Sequence, residues 1–397
     1  MKFSKRILDM QFSPIRKLAP YAEIAKEKGV EVYHLNIGQP DIVTPDCFFN
    51  AVKEYEERVL KYSGSQGIDK LIESFIKYYK GWGIDFEKKE ILITNGGSEA
   101  IMFTLMAICD AGDEVIIPEP FYTNYSGFSD VAGVKVVSFM TKAENGFHLP
   151  SKDEIVSKIT NKTRGIIVSN PGNPTGVVYT YEEIRMLADI AKEYNIYIIA
   201  DEVYREFVYD GLKYTSALTM TDVLDRVILI DSISKRYSAC GARIGLVASK
   251  NKDLINQILK LCQSRLCVPT LEQIAAANLI NTPESYFYGV KAEYENRRNI
   301  LYNALYKIPG IICDKPTGAF YIVAKLPVKD AEDFAKWMLT DFSYNNKTVM
   351  FAPAEGFYAT PGLGKDEVRF SYCINSDELE DAIDIFERGL IQYLNMQ

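Results

Sequence analysis

From Glu90 to Ala248, short apolar runs alternate with helix-forming stretches, and no other feature of the chain constrains its fold as tightly. The runs are Ile91–Thr94, Glu114–Pro118, Val134–Phe139, Ile166–Ser169, Ile196–Ala200, Val227–Ile230 and Ile244–Ala248. Each is apolar along most of its length rather than at every second position, so each must be covered on both faces. Strands of this kind, separated by helices such as Tyr181–Tyr194, predict an α/β fold with a mostly parallel seven-stranded sheet sandwiched by helices. After residue 250 the pattern turns helical over Asp253–Asn281 and Glu284–Ile308. Short strands near Ala319–Ala324 and Val368–Tyr372 follow, then a last helix with Ser376 as its cap and Leu379, Ala382, Ile383, Phe386 and Leu390 on one face. Before residue 47 a helix near Ala19–Lys28 and an extended segment Val32–Ile37 are expected. Asp46–Leu60 reads as a helix capped by Thr44 or Asp46. The expected division is a large domain over 47–285 and a smaller α+β domain built from 1–46 and 286–397.

Composition removes several classes of function. Acidic residues outnumber basic ones, 53 to 45, which argues against a nucleic-acid partner. Only His34 and His148 are present, so a histidine-rich metal centre or a hydrolase triad is not expected. The seven cysteines contain no Cys-x-x-Cys, which suggests reduced thiols in the cytoplasm. The basic start Met1–Arg6 leads into no long apolar region, so no secretory signal is expected. No apolar run approaches the roughly 20 residues of a membrane span. There is no Walker loop and no Gly-x-Gly-x-x-Gly.

In an open parallel sheet, ligands bind beyond the carboxyl ends of the strands, and four of these ends are distinctive. Ser232–Gly245 follows one strand and places Lys235 among small hydroxyl residues, with Arg243 close behind. An amine there can form an imine with an aldehyde, while the hydroxyls and the arginine can hold a phosphate. An aldehyde with a phosphate arm describes pyridoxal 5'-phosphate. A second strand ends in Asn95-Gly96-Gly97-Ser98, whose bare amides open a helix and suit an anion. A third ends in Ser169–Gly176, a rigid loop that can present Asn173. The fourth ends in Asp201-Glu202-Val203-Tyr204, and a carboxylate on a buried strand tip needs a cationic partner or a capping role.

Gly38-Gln39-Pro40-Asp41, Asn170–Gly176, Asp201–Tyr204, Ser232–Gly245 and Arg369, in this order and spacing, resemble the class I/II, fold-type I pyridoxal-phosphate aminotransferases, and most closely their aspartate aminotransferase-like branch. The resemblance covers essentially the whole chain. It implies that Lys235 forms the internal aldimine and shuttles the proton. It further implies that Asp201 pairs with the pyridine nitrogen and that Asn173 and Tyr204 bind the ring oxygen. Gly97, Ser98, Ser232 and Arg243 would hold the phosphate, and Tyr122 would stack on the ring. Tyr62 would reach the phosphate of a neighbouring subunit, which implies a homodimer. Arg369, helped by Gly38, would clamp the substrate α-carboxylate, with no metal involved. Arg265 falls near the place of a second, partner-supplied arginine that reads a distal carboxylate, and Arg16 and Lys17 compete for that role. Two positions depart from the pattern. Tyr122 stands where dicarboxylate-specific members often have tryptophan, and Ala242 replaces a large aromatic.

The expected reaction is transfer of the α-amino group of an amino acid, with aspartate as best donor, to a 2-oxo acid such as 2-oxoglutarate. A β-eliminating C–S lyase, an aminotransferase for aromatic or neutral amino acids, and a non-enzymatic regulator on the same fold are the competing readings.

Overall fold

The computed structural model describes residues 1–396. A first strand, β1 (Glu31–His34), stands apart from the central sheet. The seven expected strands follow as β2 (Ile91–Asn95), β3 (Glu114–Glu119), β4 (Lys135–Met140), β5 (Thr163–Ser169), β6 (Tyr197–Asp201), β7 (Val227–Ser232) and β8 (Ile244–Ala248). The remainder are β9 (Ile312–Cys313), β10 (Tyr321–Lys325), β11 (Lys347–Met350), β12 (Ala352–Pro353) and β13 (Glu367–Ser371).

The central sheet has the order β2-β8-β7-β6-β5-β3-β4. All its pairings are parallel except those of β8, which runs against both β2 and β7. The reason is local. β8 follows β7 through a loop with no crossover helix, and only an antiparallel neighbour can be reached that way. Alternate residues of each strand feed opposite cores. Ile91, Ile116, Ile166, Ile198 and Leu229 pack into one cluster, and Leu92, Val115, Ile167, Ile199 and Ile228 into another. Continuous apolar runs are the signature of this two-sided burial.

A third core gathers the antiparallel sheet β12-β13-β10-β9, the parallel pair β1-β11 and the last helix, Ser376–Leu394. Its residues come from both ends of the chain, among them Leu35, Phe320, Phe370 and Phe386.

Several expectations are corrected. The predicted helix Asp253–Asn281 is two helices, Lys252–Arg265 and Thr270–Ala277, with Pro269 as the break. The helix from Asp46 stops at Lys53, and Thr44 does not cap it. The Thr44 hydroxyl donates instead to the Ser238 carbonyl, 2.9 Å away, in the loop that carries Lys235. Asn375, not Ser376, caps the last helix by accepting from the Glu378 amide.

Gly245 on β8 fixes the start of the helix Gly96–Ile108. A Cβ at Gly245 would lie 2.5 Å from the Gly96 carbonyl carbon and 2.6 Å from the Gly97 nitrogen, both backbone atoms that cannot swing away. Gly289 has open space around it within the helix Glu284–Leu305. Gly245→Ala is therefore expected to cost about 1–3 kcal/mol through overpacking. Gly289→Ala is expected to gain about 0.5–1 kcal/mol from helix propensity. Urea unfolding of both variants measures the contrast, and equal effects would refute the packing argument.

Candidate active site

β5, β6 and β7 point their carboxyl ends at one edge of the sheet, and β2 shares their direction because two antiparallel pairings through β8 restore it. A cavity of about 670 Å³ opens at that edge. Ser169, Asp201 and Ser232, the last residues of β5, β6 and β7, line it, as does Gly97 beyond β2.

Lys235 reaches into the cavity from the turn after β7. Its Nζ donates to the Gly38 carbonyl at 2.9 Å and lies 3.9 Å from the Cys240 Sγ. Across from it, Asp201 is buried, with Oδ2 accepting from the Tyr125 hydroxyl at 2.6 Å. Burial pushes the Asp201 carboxyl up to about 6, against the opposing hydrogen bonds from Tyr125 and the Val203 amide.

One end of the cavity is built for an anion. The helix Gly96–Ile108 presents its N-terminal amides, which carry partial positive charge. The Arg243 guanidinium lies directly over Gly96, so close that a Cβ there would strike it. Arg243 itself is held at φ 54°, a backbone conformation unusual for a residue with a side chain. A helix N-terminus with a guanidinium over it is suited to hold an anion. The Ser232 hydroxyl is close by and bonds to Ser234 Oγ at 2.6 Å.

The other end holds Arg369. Five arginines are buried: Arg205, Arg236, Arg297, Arg298 and Arg369. Four have carboxylate partners, Glu202, Asp231, Asp41 and Asp210 in turn. Arg369 has none among the described residues. Its Nη1 donates to Asn173 Oδ1 at 3.1 Å, its Nη2 donates to the Asn36 carbonyl at 2.5 Å, and its Nε has no partner. An unpaired buried cation is costly, and here it faces a cavity, so the site is shaped to take a carboxylate.

Asn173 also donates to the Tyr204 hydroxyl at 3.5 Å, and Tyr122 sits in the wall with its hydroxyl accepting from Asn124. The structure thus brings Gly38, Gly97, Ser98, Tyr122, Asn173, Asp201, Tyr204, Ser232, Lys235, Arg243 and Arg369 around one cavity. It leaves two expected residues outside. Tyr62 is exposed on the surface. Arg265 ends its helix with Nε 3.4 Å from Glu99 and Nη2 bonded to the Ile93 carbonyl, away from this chain's own cavity. Lys17 pairs with Glu332, whereas Arg16 lies at the cavity wall. Tyr125, Tyr321 and Asn36 were not foreseen. Tyr125 follows Tyr122 by three residues, a spacing that could have pointed to it. Nothing local marks the other two, because strand pairing and chain return bring them in.

Comparison with known proteins fits this geometry. The family profile described as aminotransferase class I and II matches residues 30–386. The aspartate aminotransferase of Bacillus subtilis is 32% identical over 399 residues, covering 98% of each chain. The aromatic-amino-acid aminotransferase 2 of Thermococcus litoralis is 33% identical over 400 residues, again covering 98% of each. Among solved structures, the alanine aminotransferase of Pyrococcus furiosus superposes with a TM-score of 0.89 at 32% identity, covering 98% of this chain and 100% of that one.

The contrast among the buried arginines is testable. Arg236→Met strands the Asp231 carboxylate and is expected to cost about 3–5 kcal/mol of stability. Arg369→Met strands no charge, only the neutral Asn36 carbonyl and Asn173 Oδ1, so its loss should be clearly smaller, about 1–3 kcal/mol. A loss for Arg369→Met as large as that for Arg236→Met would show that Arg369 is satisfied within the fold.

Proposed function

The chain belongs to the class I and II aminotransferases, and on that premise we propose that its cavity holds pyridoxal 5'-phosphate on Lys235 and moves the α-amino group of an acidic amino acid, aspartate first, to a 2-oxo acid such as 2-oxoglutarate. The observation that carries this reading is the pairing of a free amine, Lys235, with a buried guanidinium that lacks a carboxylate, Arg369, across one cavity. Bound there, the cofactor supplies an aldehyde and an electron-withdrawing ring.

The residues divide the work by position. The helix amides at Gly97 and Ser98, the Ser232 hydroxyl and Arg243 take the phosphate. Asp201 holds a proton on the ring nitrogen, and Tyr125 fixes the carboxylate in place. Asn173 and Tyr204 would donate to the ring oxygen, and Tyr122 would lie against the ring. Arg369, oriented by Asn173 and the Asn36 carbonyl, takes the substrate α-carboxylate beside Gly38. That would fix the Cα–H bond relative to Lys235, whose Nζ would be placed to take the proton from Cα.

Arg16 supports the choice of an acidic donor. It is exposed at the cavity wall with no ion-pair partner among the described residues, so its guanidinium is free to meet a distal carboxylate. Arg265 remains in the proposal only as a residue supplied by a second copy. Exposed Tyr62, with exposed Phe3, Leu8, Phe12 and Leu60, supports a homodimer with shared sites. The seven free thiols support a cytoplasmic location. The third core, drawn from both ends of the chain apart from Tyr204, Phe207 and Tyr209, supports domains at 47–285 and at 1–46 with 286–397.

Two tests follow. Purified enzyme loaded with pyridoxal phosphate is mixed singly with aspartate, glutamate, alanine and phenylalanine, and the loss of visible absorbance is followed. Aspartate and glutamate should react with the highest kcat/KM, and Arg16→Ala should raise KM for aspartate about tenfold or more while sparing alanine. Preference for phenylalanine or alanine would overturn the acidic-donor reading and leave the aminotransferase. Secondly, Asp201 must be ionised to pair with a cationic ring. Raised to about 6, it is protonated in the free site below that pH. Cofactor affinity should therefore fall as pH drops through 6, more steeply than in Asp201→Asn, where only the phosphate titrates. Parallel pH profiles for the two proteins would contradict the pairing.

A further inference from the structure

Tyr321, on β10, occupies the centre of the site without a role in the reading above. It is almost fully buried and lines the cavity. In the β10–β13 ladder Tyr321 is opposite Ser371 and Val323 is opposite Arg369, so Tyr321 and Arg369 are diagonal neighbours on one face. The Arg369 guanidinium stands 4.4 Å from the centroid of the Tyr321 ring, a cation–π contact that replaces the missing carboxylate in part. The Tyr321 hydroxyl is 2.9 Å from that of Tyr204. It also occupies the space a Cβ would need at Gly38, which leaves the Gly38 carbonyl free to meet Lys235.

The proton count around Tyr204 gives this geometry a direction. Asn173 Nδ2 already donates to the Tyr204 oxygen. Burial raises both phenols well above the ordinary tyrosine range, so both keep their protons. Among the described residues, the Tyr321 hydroxyl has Tyr204 as its only hydrogen-bond partner. If Tyr204 gives its proton to Tyr321, nothing is left for the cofactor. If Tyr321 gives its proton to Tyr204, the Tyr204 proton points into the cavity, and the added donor makes Tyr204 a stronger one.

We propose that Tyr321 is a positioning residue with two effects: its hydroxyl donates to Tyr204, committing the Tyr204 proton to the ring oxygen of the bound cofactor, and its ring face holds Arg369 for the substrate carboxylate. The inference rests on the pyridoxal-phosphate reading. It joins the residues that tune the ring to those that select the substrate through one side chain.

Two substitutions separate the effects. Tyr321→Phe removes the hydroxyl and keeps the ring, whereas Tyr321→Leu removes both. Each holoenzyme is titrated from acid to alkaline pH by its visible absorbance, and KM and kcat for the best amino donor are measured. In Tyr321→Phe the titration midpoint should move up by about half a unit or more, because the ionised ring oxygen loses a polarised donor. Its KM should stay within about twofold of the native value, since the ring still lies under Arg369. Tyr321→Leu should show the same shift and a KM raised about three- to tenfold. A native protein that titrates while Tyr321→Phe titrates identically overturns this inference alone. A native protein that takes up pyridoxal phosphate without any visible band overturns the cofactor reading, and this inference with it.

Discussion

An unpaired guanidinium deep in a protein must be held by something other than a carboxylate, and Arg369 is held by four separate parts of the chain. The Asn36 carbonyl comes from the segment after β1, Asn173 from the loop after β5, Tyr321 from β10 and Phe357 from beyond β12. None of these supplies a negative charge. They orient the cation and shield it, and they leave its attraction for an anion unspent. The same contacts tie the large sheet to the third core, so the residue best suited to select a substrate also stands at the junction of the two packed bodies.

The charges elsewhere in the interior follow the opposite rule. Arg236, the residue after Lys235, turns away from the cavity and meets Asp231, whose carboxylate also accepts from Tyr79 and from the Ser232 amide. Arg205 pairs with Glu202 under a cage of aromatic rings. These carboxylate-paired arginines lie behind the strand ends that carry Asp201, Ser232 and Lys235. They hold the loops rigid, while the open cation, the free amine and the bare helix amides face the cavity. Completed charges make the scaffold, and incomplete ones make the site.

Much of this was legible in the chain itself. Continuous apolar runs announced a sheet buried on both faces, because a sheet covered on one face hides only every second residue of such a run. The polar residues at the strand tips announced the cavity, because an α/β sheet presents its carboxyl ends to ligands. Boundaries were less legible. The single helix expected over Asp253–Asn281 overlooked how Pro269 breaks the backbone, and the cap expected at Thr44 overlooked a distant acceptor at Ser238. Arg265 is expected by position to serve a partner's cavity, and within this chain its guanidinium rests on Glu99 and the Ile93 carbonyl.

What the sequence determined by itself was therefore the set of local preferences: the strands, their two-sided burial and the identities of the groups at their ends. These depend on side chains within a few residues of one another and on the period of the backbone. Only the tertiary structure decided that β8 runs antiparallel, that Arg369 lacks a carboxylate while its four buried counterparts have one, and that Tyr321 bridges Arg369 and Tyr204. Those outcomes depend on which groups meet across hundreds of residues, and in a close-packed interior a shift of a single ångström makes or removes a hydrogen bond.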